Sequence, residues 1–178
     1  MVLFVFFHRF VVVGVGTGLG VGSGMVTDSH QLLVAGGEGG HIAFSPQNEK
    51  EFAIKTYLED RGVVVTAETI ASGSGLVTVF NAYSEIYGVG AKIQNGDEVV
   101  KMLDSSRGFL RHAAQATLDI FARTLGTAAA SAALVNDART VFISSSIIEK
   151  MGSHFNEQAF ATNFTKDDLG VNNRSRNM

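Results

Sequence analysis

The run Gly14-Val15-Gly16-Thr17-Gly18-Leu19-Gly20, followed by Gly36-Gly37-Glu38-Gly39-Gly40-His41, constrains this chain more than any other stretch. Residues without a Cβ let the backbone turn sharply and approach an anion or another segment closely, and they make a helix there costly. The flanking residues read as strands. Val11-Val12-Val13 enters the first run, and Gly24-Met25-Val26-Thr27 and Gln31-Leu32-Leu33-Val34 follow it, split by Asp28-Ser29-His30. The glycines therefore belong in or beside hairpins. A dinucleotide fingerprint needs G-x-G-x-x-G opening a helix. Started at Gly14, Gly16, Gly18 or Gly20, its third glycine falls on Leu19, Val21, Ser23 or Met25, so the fingerprint fails. A Walker-type loop fails too, because no Gly-Lys-Ser or Gly-Lys-Thr occurs.

Beyond the glycines the period changes to that of helices. Ser45-Pro46-Gln47-Asn48 leads into one, with Pro46 suited to its first turn and Asn48 and Glu51 spaced as a cap and its reciprocal partner. Ala53, Ile54, Tyr57 and Leu58 share its apolar face, and Gly62 ends it. Val63-Val64-Val65 reads as a short strand. From Gly75 the residues Leu76, Val79, Phe80, Tyr83 and Tyr87 predict a long amphipathic helix, which places Glu68 and Ser72-Gly73-Ser74-Gly75 in its entry loop. Further helices are predicted over Asp97–Leu103 and Phe109–Leu125, then a small-residue stretch Ala128–Ala133 and a buried strand at Thr140–Ile143.

The 178 residues, 46% of them hydrophobic, suffice for one domain with a sizeable core. The net charge of −3 with scattered Lys and Arg offers no footprint for nucleic acid or an anionic membrane surface. Zero cysteines exclude disulfides and thiol chemistry. The apolar opening Met1–Phe10 carries its charges in the wrong place for a signal peptide and is too short to span a bilayer, so residues 1–10 read as an atypical leader. The core domain is expected over 11–164, with a polar, frayed tail over 165–178.

Three groups of residues can carry chemistry. Gly16-Thr17-Gly18 reads either as a tight hairpin needing positive φ or as a nest of amides, with the Thr17 hydroxyl, that binds phosphate. Glu38 and His41 are three apart, a ligand spacing on a helix, but the four glycines around them argue against a helix and hence against a metal. An imidazole there is either a structural hydrogen-bonder or, together with Glu38 and Glu68, part of a set that accepts from and donates to the hydroxyls of a polyol. In that case a buried carboxylate left unpaired by a missing hydroxyl would give selectivity.

In order and spacing, these two glycine runs and Thr66-Ala67-Glu68-Thr69-Ile70-Ala71-Ser72-Gly73-Ser74-Gly75-Leu76 resemble the C-terminal half of bacterial-type glucokinases. The resemblance extends from about Val11 to about Phe164. It implies an α/β fold, the larger C-terminal lobe of an actin-like, ribonuclease-H-like sugar kinase, with a mixed sheet packed with helices. It implies that Gly16, Thr17 and Gly18 bind the phosphates of ATP, that Glu38, His41 and Glu68 bind glucose, and that Mg²⁺ accompanies the nucleotide. A cytoplasmic protein, as a homodimer or with a complementing N-terminal lobe, is the corresponding expectation.

The departures from the family pattern are specific. The chain has no Asp-x-Gly-Gly-Thr motif and no Asn-Asp-Phe segment, so the general base is expected in an N-terminal lobe that this chain lacks, and no catalytic residue is assigned here. Asn136-Asp137 precedes the strand at Val141 and matches no catalytic position. Ser144-Ser145-Ser146 stands where the family has Ala-Gly-Gly beside the nucleotide, and Ser74 where it often has Pro. The expected function is that of an ATP:D-glucose 6-phosphotransferase in truncated form. The alternative is a non-catalytic sugar- or nucleotide-binding module derived from a kinase.

Overall fold

Along β1 (His8–Val15), Val11, Val13 and Val15 are buried while Val12 between them is exposed, the period-two pattern of a strand with one face on a core. In the computed structural model, which describes residues 8–165, β1 pairs antiparallel with β2 (Leu19–Val26) and β2 antiparallel with β3 (Leu32–Gly37). On the other side of β1, β4 (Thr140–Ser144) lies parallel to it, in the order β3-β2-β1-β4. This is the expected mixed sheet. β1 starts at His8, inside the stretch read as a leader, and Phe10 meets the Phe142 ring edge-on. Residues 1–7 of that leader, and the tail beyond Thr165, lie outside the described residues.

Helices fill the chain between β3 and β4: α1 (Glu49–Glu59), α2 (Ala67–Ile70), α3 (Gly73–Ile86), α4 (Asp97–Leu103) and α5 (Gly108–Val135). After β4 come α6 (Ser146–Met151) and α7 (Glu157–Phe164), for which Ser145 and Asn156 act as side-chain caps. The core runs from Val11, Val13 and Val15 of β1 to Ile70, Val79 and Phe80, and on to Leu118, Phe121 and Leu125 of α5. Burial of such side chains supplies about 1.5–3 kcal/mol each, which is what holds helices to the sheet.

Several local expectations are corrected. The helix predicted to end at Leu125 continues to Val135, because alanines favour helix and Gly126 is a packing site: a Cβ there would stand 2.5 Å from the Phe160 carbonyl of α7. Pro46 lies ahead of α1 rather than in its first turn. Asn48 does cap α1, accepting from the Glu51 amide at 3.1 Å, but Glu51 returns to the Gln47 amide and the Asn48 side chain. Glu51 is 1% exposed and faces Arg123 Nε at 3.8 Å, so it ties α1 to α5 as well.

Val63–Val65 form no strand. Val64 is exposed, and only a single bridge, Ala43 to Thr66, follows. β4 is an edge strand in this chain rather than a buried one, with Phe142 54% exposed. Among the described residues α5 is long and apolar enough in composition to cross a membrane, but half of its most apolar window is buried inside the protein.

Candidate functional site

The turn Gly16-Thr17-Gly18 joins β1 to β2, in a register that pairs Val15 with Leu19 and Gly14 with Gly20. Neither Gly16 nor Gly18 has positive φ, so the left-handed-turn account of these glycines is corrected. What Gly18 supplies is room. A Cβ on it would stand 2.5 Å from Glu68 Oε2, whereas a Cβ on Gly16 would meet nothing within 4 Å. The turn carries no buried side chain of its own and is held from one side by the segment 68–74. The Gly73 amide donates to the Gly16 carbonyl at 2.8 Å, the Ser74 hydroxyl to the Thr17 carbonyl at 3.0 Å, and the Leu19 amide to Glu68 Oε2 at 2.8 Å. The Gly16 amide is taken by the Gly18 carbonyl, while the amides of Thr17 and Gly18 meet no backbone acceptor among the described residues. An anion is the natural partner for such amides.

Behind β3 the chain forms a single 3-10 turn, Gly39–His41. Gly40 is pressed against the Leu19 carbonyl, where a side chain has no space. From there the Ala67 amide donates to the Ile42 carbonyl (2.9 Å) and the Phe44 amide to the Val65 carbonyl (3.1 Å), which lays this turn alongside the start of α2. Contrary to the loop reading, Glu68 sits within the helix α2, whose entry is fixed by reciprocal bonds between Thr66 and Thr69: 3.1 Å from the Thr66 amide and 3.2 Å from the Thr69 amide.

The outcome is an imidazole between two carboxylates. His41 Nδ1 lies 3.2 Å from Glu38 Oε2 and its Nε2 lies 3.7 Å from Glu68 Oε1. Three residues that are up to 30 positions apart in the chain thus share one place, beside the β1–β2 turn. The cluster is more open than a buried-carboxylate reading requires: the side chains of Glu38, His41 and Glu68 are 88%, 60% and 34% exposed. Carboxylate oxygens accept and the imidazole both accepts and donates, a set suited to vicinal hydroxyls.

Ser144 ends β4 opposite Gly14, at the same end of the sheet as the turn, and Ser145 caps α6 by accepting from the Ile148 amide at 3.1 Å. A cavity of about 410 Å³ opens there, walled by Ile143, Ser144, Ser145, Ile148, Phe155 and Phe160 among others. It lies at the carboxyl end of the parallel β1–β4 pair, the usual ligand edge of such sheets. Ile147 of α6 reaches back to Gly73, where a Cβ would meet its Cδ1 at 3.0 Å, so α6 and the segment gripping the turn abut. A second cavity of about 380 Å³, between β2, β3 and the end of α5, contains none of the candidate residues. Asp137 is at the opposite end of β1, 3.5 Å from Arg9. The structural roles of Leu19, Gly73 and Ser74 carry no sequence signal beyond the motif in which the last two stand.

Comparison with known proteins gives the family and the fold. A family model described as Glucokinase matches residues 6–169. A glucokinase from Helicobacter pylori (strain P12) is 34% identical over 166 residues, covering 90% of this chain and 49% of its own. The crystal structure of a glucokinase from an Antarctic psychrotroph superposes with a TM-score of 0.79 at 26% identity, over 90% of this chain and 49% of that one. A ROK family glucokinase from Streptomyces griseus, solved in complex with glucose and AMPPNP, shares the fold with a TM-score of 0.55 at 19% identity, over 88% of this chain and 50% of its own. The chain spans about half the length of the curated relatives it matches.

Proposed function

The chain belongs to the glucokinase family, and on that premise we propose that it is the sugar- and phosphate-binding half of an ATP:D-glucose 6-phosphotransferase. The observation that carries this reading is the meeting of Glu38, His41 and Glu68 at 3.2 and 3.7 Å beside a turn whose Thr17 and Gly18 amides are unclaimed. In this reading Glu38, His41 and Glu68 take the hydroxyls of glucose. The amides of the Gly16-Thr17-Gly18 turn, with the Thr17 hydroxyl, take the phosphates of ATP, and the 410 Å³ cavity next to Ser144 and Ser145 takes its adenosine. The Ser145 hydroxyl is already engaged in capping α6, so it is the apolar wall of Ile148, Phe155 and Phe160 that meets the base.

Phosphoryl transfer is largely positioning and electrostatics. The sugar cluster fixes the acceptor hydroxyl, and the turn amides neutralise charge on the phosphates without reorganising. Mg²⁺ bound with the nucleotide would supply further neutralisation of the phosphate charge. Both oxygens of Glu68 face protein partners, so this carboxylate is not assigned to the metal. Among the described residues no aspartate makes a hydrogen bond or ion pair to Glu38, His41 or Glu68, and Asp137 belongs to the far end of the sheet. Loss of a positioned base costs about 10²–10⁴ in rate.

Calorimetry with glucose tests the reading. Glu38→Gln and His41→Ala are expected to weaken glucose binding by roughly tenfold each, the range of one hydrogen bond to a charged group. Unchanged affinity in both variants refutes the sugar assignment. Phosphate transfer, followed by a coupled assay with ATP and glucose, is expected to be slow for this chain alone. Turnover typical of a kinase, about 1–100 per second, would show that the base is present after all.

A further inference from the structure

Glu68 divides its two oxygens between two neighbours. Oε2 accepts from the Leu19 amide at 2.8 Å, and Oε1 faces His41 Nε2 at 3.7 Å. The first contact reaches the β1–β2 turn and the second the imidazole cluster. Gly18 leaves the carboxylate its path, because a Cβ there would collide with Oε2 at 2.5 Å. The turn has no packing anchor of its own: Gly16 and Gly18 have no side chains and Thr17 is exposed. Beyond its own Gly16–Gly18 bond and the strands it joins, it is held by bonds from 68–74 to Gly16, Thr17 and the adjoining Leu19, and among the residues making them Glu68 is the one that also belongs to the cluster.

We propose that Glu68 is a positioning residue for the phosphate-binding turn, so that one carboxylate couples the sugar half-site to the nucleotide half-site. The names of the ligands rest on the function proposed above; the link between Glu68 and the turn does not. A sugar hydroxyl donating to Oε1 holds the carboxylate in the rotamer that keeps Oε2 on Leu19, and by linkage an occupied turn favours the sugar equally. The two oxygens can be separated chemically. In Glu68→Gln the amide oxygen still accepts from Leu19 while the NH₂ turns a donor toward the cluster, whereas Glu68→Ala removes both contacts.

The test uses the full chain and three readouts: hydrogen exchange of the Leu19 amide by NMR without ligand, titration with AMPPNP and Mg²⁺, and titration with glucose. Glu68→Ala is expected to speed Leu19 exchange by on the order of tenfold or more and to weaken AMPPNP and glucose by a similar factor. Glu68→Gln is expected to restore Leu19 protection and AMPPNP affinity to within about threefold of the parent while leaving glucose roughly tenfold weaker. If Glu68→Ala fails to fold, Gly18→Ala substitutes for it, since the methyl displaces the carboxylate from Leu19, and the same loss of Leu19 protection is expected. Parent-like Leu19 exchange and AMPPNP affinity in Glu68→Ala, or Leu19 exchange as fast in Glu68→Gln as in Glu68→Ala, overturns the inference. Lost Leu19 protection and AMPPNP affinity in Glu68→Ala, with glucose binding unmoved by Glu38→Gln and His41→Ala, supports it and overturns the sugar reading instead.

Discussion

The two glycine runs look alike as strings and differ in what they touch. In the first, Gly14 and Gly16 have open space where a Cβ would be, and Gly18 has the end of a carboxylate side chain. In the second, Gly36 also has open space, but Gly40 abuts the backbone carbonyl of Leu19, and a Cβ on Gly39 would stand 2.8 Å from the side chain of Val21. A flexible carboxylate can rotate away from an intruding methyl; a strand carbonyl cannot move without disturbing its ladder. Gly14 and Gly16 of the first run therefore leave the backbone open, whereas Gly39 and Gly40 of the second pack one piece of backbone onto another. Of the glycines in and beside the β1–β2 turn, Gly14 and Gly16 are the ones a substitution disturbs least in stability, and Gly18 is the one that matters for geometry.

The largest effect is expected at Gly40. Gly40→Ala forces the 38–41 turn off β2 and should cost about 3 kcal/mol, the upper range for overpacking, as measured by urea unfolding. A loss below about 1 kcal/mol would mean that the turn floats on the sheet and that the contrast between the runs is false. Next comes Gly18→Ala, for which a stability loss of about 1 kcal/mol is expected, because the side-chain end moves at modest cost while one charge-assisted hydrogen bond is weakened. A loss as large as that of Gly40→Ala would show that Glu68 is locked in place and sharpen the coupling argument further. The smallest change belongs to Gly16→Ala, expected within about 0.5 kcal/mol of the parent, since nothing occupies the space and φ is ordinary there. A clear destabilisation by Gly16→Ala in the same urea titration would reveal a contact to the turn beyond those described.

Glu38 and Glu68 make a second contrast. Glu38 is almost fully exposed and touches the cluster only through His41, three residues away, so its geometry follows from local chain direction. Glu68 is two-thirds buried and its surroundings come from β2 and from the 38–41 turn, both remote in sequence. The spacing of glycine, glutamate and histidine was enough to nominate both residues. That they differ in burial, and that one of them also accepts from the Leu19 amide, depends on long-range contacts that no local pattern encodes.

The same division runs through the fold. β1 is legible from the β-branched run Val11-Val12-Val13, though not its burial of Val11 and Val13 with Val12 exposed, and α3 is legible from the spacing of Leu76, Val79, Phe80 and Tyr83, a period set by backbone geometry. The small helices α6 and α7 escape such a reading, since six or eight residues span about two turns and give the period too little room; only their caps, Ser145 and Asn156, mark them. The apparent strand Val63–Val65 misleads for the opposite reason. Its β-branched residues favour extended backbone, but only Val65 of the three is buried, and no neighbour strand takes up their amides.

From the amino-acid order alone came the hairpin setting of the glycines, the failure of the dinucleotide and Walker patterns, the nomination of Glu38, His41 and Glu68, and the resemblance to the family. Tertiary structure decided that Gly18 is needed for a carboxylate rather than for a turn angle, that Glu68 meets both the Leu19 amide and His41, and that β4 ends at the edge of the sheet. The physical reason is range. Periodicity, capping and glycine's freedom act within a few residues, whereas the approach of Glu68 to Leu19 spans 49 positions and exists only once the sheet and α2 have packed together.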